Sequence, residues 1–101
     1  MLDGGRWQGQ QVLPAAWVQA TQQMHATVGN GPQGYGYHWW CAPVTHQGST
    51  LASCAALGNG GQRLFIVPGL DLAVVFTAGQ YNATTIGGAQ VRLLRQIIAS
   101  L

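Results

Sequence analysis

Lysine is absent from all 101 residues, and the charged side chains amount to four arginines and two acids. The arginines, Arg6, Arg63, Arg92 and Arg95, are scattered, so a formal net charge of +2 leaves no electrostatic footprint for nucleic acid. The first residues, "MLDGGRWQGQ", lack a basic n-region and an apolar h-region, so nothing in them directs export. No apolar run is long enough to span a bilayer. Cysteine is confined to Cys41 and Cys54, too few for a disulfide framework. With His38 and His46 close by in sequence they invite a metal reading, but their spacing fits no zinc pattern. Two buried thiols and a single disulfide between them are the other readings.

What is present is apolar and glycine-rich: 48% of the residues are hydrophobic and 15 are glycine, which excludes disorder and predicts a globular piece with much of its surface meant to be covered. A chain of this length makes one small domain at most, with a modest core.

"DGGRWQGQQV" reads as turns with a short strand pair around Trp7. In "LPAAWVQATQQM", Pro14 suits a first helical position, and Ala16 or Trp17, Ala20 or Thr21, and Met24 recur at helical spacing to give one apolar stripe. "TVGNGPQG" ends that helix. "YGYHWW", Tyr35 to Trp40, predicts one aromatic strand with Tyr35, Tyr37 and Trp39 on one face and His38 and Trp40 on the other. "APVTHQGST" reads as a loop. "LASCAAL", "RLFIV" and "LAVVFTA" are then three short apolar runs separated by glycine-rich or "PGLD" turns, an antiparallel meander. If "YGYHWWC" and "LASCAAL" are neighbouring strands, Cys41 and Cys54 fall near opposite positions, with proximity favoured over bonding. From about Thr85 onward, Val91, Leu94, Ile97, Ile98 and Leu101 share one face of a helix that should pack on the sheet. The fold class is therefore α+β.

Between the first two meander runs lies Gly58-Asn59-Gly60-Gly61-Gln62. A phosphate-binding loop needs a helix after its glycines, and the nucleotide-triphosphate version needs a lysine; here a strand follows and lysine is missing. A plain hairpin turn is the simple alternative, since Asn-Gly is the best hairpin dipeptide. Nucleophilic serine is unsupported too. Ser49, Ser53 and Ser100 have no lysine three residues on, and His25, His38 and His46 have no Ser or Asp partner at a recognisable spacing.

The order "GGRWQGQQVLPAAWV", "YGYHWW", "ALGNGGQRLFIVPGLDLAVVFTAGQYN" and a terminal amphipathic helix resembles the C-terminal part of the β-lactamase-related serine hydrolases. That group contains class C β-lactamases, DD-peptidase-like proteins, esterases of the same fold and 6-aminohexanoate-oligomer hydrolases. The likeness covers nearly the whole chain. Such enzymes use a Ser-x-x-Lys pair, a Tyr-x-Asn or Ser-x-Asn element, and a Lys-Thr-Gly-like triplet on an edge strand. By position Ala56-Leu57-Gly58 matches the triplet, with lysine and threonine replaced as in the esterase and amidase branches; this departs from carboxylate recognition of a β-lactam or D-Ala terminus.

The resemblance implies a partial β-lactamase/transpeptidase-like fold over residues 1–101, with the helical lobe and the nucleophile segment absent. That describes a truncated reading frame, a deliberately cut piece, or half of a two-piece protein. The implied reaction is cleavage of a small-molecule ester or amide through an acyl-serine, with no cofactor and no metal. This segment would supply the edge strand and one oxyanion-hole donor, the backbone N–H of Asn59 beside Gly58. Ala56, Leu57, Gly60, Gly61 and Gln62 would line the cleft, Gln62 chiefly as a loop-stabilising side chain. Alone the segment should be inactive, and it should meet a missing N-terminal lobe or self-associate. Complete relatives are often periplasmic or secreted. A non-catalytic ligand-binding or structural fragment of the same fold is the alternative.

Overall fold

Short apolar runs bounded by turn residues leave little choice but antiparallel pairing, and the computed structural model, which describes all 101 residues, is built that way. In chain order it runs β1 (Arg6–Trp7), β2 (Gln10–Gln11), α1 (Ala15–Thr21), β3 (Ala26–Thr27), β4 (Gly34–Gly36), β5 (Trp39–Cys41), β6 (Val44–His46), β7 (Ser49–Leu51), β8 (Cys54–Gly58), β9 (Gln62–Val67), β10 (Leu72–Phe76) and α2 (Ile86–Ala99). Six strands form the main sheet in the order β10-β9-β8-β5-β4-β3, and β1-β2 and β6-β7 are separate two-stranded ribbons. The architecture is α+β with antiparallel sheets and two helices. Neither helix is long and apolar enough to cross a membrane.

Side chains alternate across a strand and recur every fourth residue on a helix, and those two periods meet in the core. Ala55 on β8 with Phe65 and Val67 on β9 face Leu94 and Ile98 on α2, forming one buried cluster. Val67 and Ile98 are fully buried. Burial of residues of this size stabilises by about 1.5–3 kcal/mol each, so the docking of α2 on β8 and β9 is the main apolar contribution. His46 adds a polar tie: its Nδ1–H donates to the carbonyl of Ile98 at 3.1 Å, holding the β6-β7 ribbon to the end of α2. The meander and the terminal helix thus lie where their periodicities predict, except that Leu101 falls beyond the end of α2 and is exposed.

Four local expectations are corrected. "YGYHWW" is two strands, because Tyr37 and His38 both take positive φ (48° and 70°) and form a two-residue turn between the paired Gly36 and Trp39. Tyr35 consequently faces Trp40 across the hairpin, at 4.7 Å between ring centroids, instead of sharing a face with Tyr37 and Trp39. The stripe of α1 is also displaced: Val18 and Thr21 are buried, while Trp17 and Met24 are about half exposed. A helix of seven residues has room for only one inward contact per turn, and Val18 makes it. "APVTHQGST" is the β6-β7 hairpin closed by Gln47-Gly48, not a loop. Finally, Cys41 and Cys54 are directly opposite, with Cα atoms 4.0 Å apart, and they are bonded as a disulfide. That bond removes both sulfurs from any metal site.

Candidate functional site

Strands β8 and β9 diverge at the pair Gly58–Gln62, leaving the three residues Asn59, Gly60 and Gly61 as the loop between them. The turn needs its glycines: Gly60 and Gly61 have φ of +89° and +92°. They are also tightly surrounded. A Cβ on Gly60 would lie 2.9 Å from the ring of Tyr81, and one on Gly61 would lie 3.0 Å from Ala78 and 3.1 Å from Ile86. Both glycines are buried, whereas Gly58 and Asn59 are exposed.

The loop is anchored on three sides. Gln90 of α2, 5% exposed, donates its Nε2–H to the Gly61 carbonyl at 2.7 Å. Gln62 donates its side-chain amide to the Ala78 carbonyl. Asn59 and Asn82 bond reciprocally, the Asn59 Nδ2–H to Asn82 Oδ1 at 3.2 Å and the Asn82 N–H to Asn59 Oδ1 at 3.0 Å. The Gln80 N–H adds a bond to the Gly60 carbonyl at 3.0 Å. These contacts hold the Asn59 side chain toward residues 80–82 and leave its backbone N–H out of every loop and turn hydrogen bond.

Beside the loop the surface is a shallow open depression of about 390 Å³ lined by Ala56, Leu57, Gly58 and Gln62 together with Arg63, Leu64 and residues 75–77 at the end of β10; Asn59, Gly60 and Gly61, expected at the cleft, do not line it. Ala56 and Leu57 point to opposite faces of β8, so one small ligand meets the side chain of only one of them; their common contribution is backbone. An edge strand is not what carries the triplet. β8 lies between β9 and β5, but β5 pairs only Ala55 and Cys54, so Ala56, Leu57 and Gly58 have a partner strand on the β9 side alone.

The serines and histidines expected to be structural are engaged or exposed. Ser53 donates its hydroxyl to the Ala42 carbonyl at 2.5 Å, and His25 donates its Nε2–H to the Ala20 carbonyl at 2.7 Å. Ser49 and His38 are exposed. Gln90 and Asn82 are the loop partners that sequence reasoning missed. For Gln90 a signal exists, since it stands four residues before Leu94 and eight before Ile98, a polar residue in the buried row of α2.

No family model matches the chain, and no curated protein or solved structure matches it either. The class defined by fold and site is an antiparallel α+β domain presenting a rigid, glycine-built loop with an unpartnered backbone donor at the end of a strand.

Proposed function

We propose that residues 1–101 are the sheet segment of a β-lactamase-related serine hydrolase, acting on an ester or amide, and that the loop after β8 is one side of its oxyanion hole. The observation that carries this reading is the Asn59 backbone N–H: unbonded, on an exposed residue, in a loop fixed by Gln90, Gln62 and Asn82. A donor held rigid before the reaction stabilises developing negative charge without reorganising, which is the main physical requirement of an oxyanion site. Gly58, with no side chain, lets a substrate carbonyl approach the backbone.

In this reading Ala56 and Leu57 form the strand wall and Gly60 and Gly61 turn the chain away beneath the ligand. The second oxyanion donor would be the nucleophilic serine's own amide. Neither that serine nor a lysine base exists within these residues, so both come from elsewhere, on another segment or a partner lobe. The chain by itself should therefore give no turnover of a p-nitrophenyl ester or a chromogenic β-lactam above a denatured-protein control. Saturable hydrolysis by the chain alone, abolished by Ser53→Ala or Ser49→Ala, would overturn the assignment.

A further inference from the structure

Helix α2 leaves part of the sheet face uncovered. Between it and the segment that follows β5 lies a cavity of about 460 Å³, within the range of small-molecule sites. Phe65 and Leu57 of the sheet, Leu94 and Val91 of α2, and Trp40 give it apolar walls. Two cations also line it, Arg63 and Arg95. The chain's two acids, Asp3 and Asp71, are not among the lining residues. Arg6 is the one arginine whose side chain hydrogen-bonds a protein acceptor, Gln11 at 3.2 Å. Ser53, also at the wall, spends its hydroxyl on Ala42.

Arg63 is the less exposed of the pair: it is half-buried, whereas Arg95 is exposed. The Arg63 guanidinium lies directly against Gly87, in the first turn of α2, and a side chain at that position would displace it. That turn carries no acidic residue and no side-chain cap, so nothing on the helix neutralises the half-buried cation. A guanidinium withdrawn from water without a counter-charge is unfavourable, and an anion with good geometry removes that cost. The rest of the cavity has no charge to offer and favours an apolar body.

We infer that this cavity binds a monocarboxylate with an acyl-sized apolar body, its carboxylate taken by the guanidiniums of Arg63 and Arg95 and its chain laid against Phe65, Trp40 and Leu94. The inference does not rest on the hydrolase reading, since neither Asn59 nor Gly58 lines the cavity, but Leu57 and Arg63 line both this cavity and the depression beside Gly58.

Three probes with one eight-carbon body and different charge test it: octanoate, octan-1-ol and octylammonium, titrated by calorimetry and by methyl NMR shifts of Val91 and Leu94. Octanoate should bind saturably and about tenfold more tightly than octan-1-ol, as expected for one charge-assisted contact, with octylammonium weakest. Arg63→Gln and Arg95→Gln should each weaken octanoate by about fivefold to tenfold and leave octan-1-ol unchanged, which also shows that the variants remain folded. Equal affinity for all three probes would mean an apolar groove without anion selectivity and would overturn the inference. So would unchanged octanoate affinity in both variants, or no saturable binding of any probe.

Discussion

At Gly61 a single added carbon has nowhere to go. Its φ of +92° disfavours any side chain, and a Cβ would press on Ala78, Ile86 and the Gln90 amide at 3.0–3.3 Å. Gly61→Ala should therefore lower stability by about 2–3 kcal/mol, combining left-handed strain with overpacking. Gly79→Ala, where φ is ordinary and nothing lies within 4 Å, should change it by less than about 0.5 kcal/mol. Denaturant melts of the two variants make the comparison, and equal losses would show that the loop is not packed as described. Some residue-scale facts are legible in the sequence and others are not. "GNGGQ" announces a turn because glycine tolerates the positive φ that Gly60 and Gly61 take. The Asn59–Asn82 pairing is not announced, because it joins residues 23 apart through a hydrogen bond that no local pattern encodes.

At the scale of elements, the strands that misread are the ones where tertiary contacts override local preference. Tyr37-His38 is a poor dipeptide for a turn with two positive φ values, so "YGYHWW" reads as a strand from propensity alone. The turn is held by aromatic packing: Tyr37 lies 5.2 Å from Trp17 and 4.3 Å from His25, ring centroid to centroid. His38→Gly removes strain without touching that cluster and should raise stability by about 1 kcal/mol. A loss of stability would place His38 in a contact beyond those described. The disulfide acts on the joint between β5 and β8, which pair through only two residue positions. Removing it with a Cys41→Ala, Cys54→Ala double variant should cost about 2–4 kcal/mol, measured against wild type with and without reductant. If reduction leaves wild-type stability unchanged, the bond is not a clamp. The neighbourhood of the two cysteines was legible only on the condition that their strands pair, and bonding was not legible: opposite register is a geometric fact, whereas oxidation depends on the compartment.

Across the whole molecule the two sheet faces differ. One is occupied by α2; on the other, Cys54 and Ile66 are buried but Val75 is 67% exposed, with Ala73 also exposed and Ala56 and Leu64 half-buried on the same side. An open apolar face of this kind should act as a contact surface, and the chain is expected to associate with concentration between the micromolar and millimolar range. Val75→Asp should suppress that association. Light scattering from a stable wild-type monomer, with little binding of an apolar dye, would instead mark the face as an ordinary solvated surface. Sequence periodicity foretold the meander and the terminal helix. It could not foretell that β8 would be interior to the sheet, since that position depends on which hairpin docks beside it.

Whether the loop after β8 is an oxyanion site turns on one backbone amide. A helical lobe carrying Ser-x-x-Lys and Tyr-x-Asn should be co-expressed with this chain, and ester hydrolysis by the purified pair measured with wild type and with Asn59→Pro, which removes the N–H. Hydrolysis by the wild-type pair is expected, with a fall of about 10²- to 10³-fold in kcat for the variant, the usual loss for one oxyanion donor. Undiminished hydrolysis by a folded Asn59→Pro pair would contradict the oxyanion assignment.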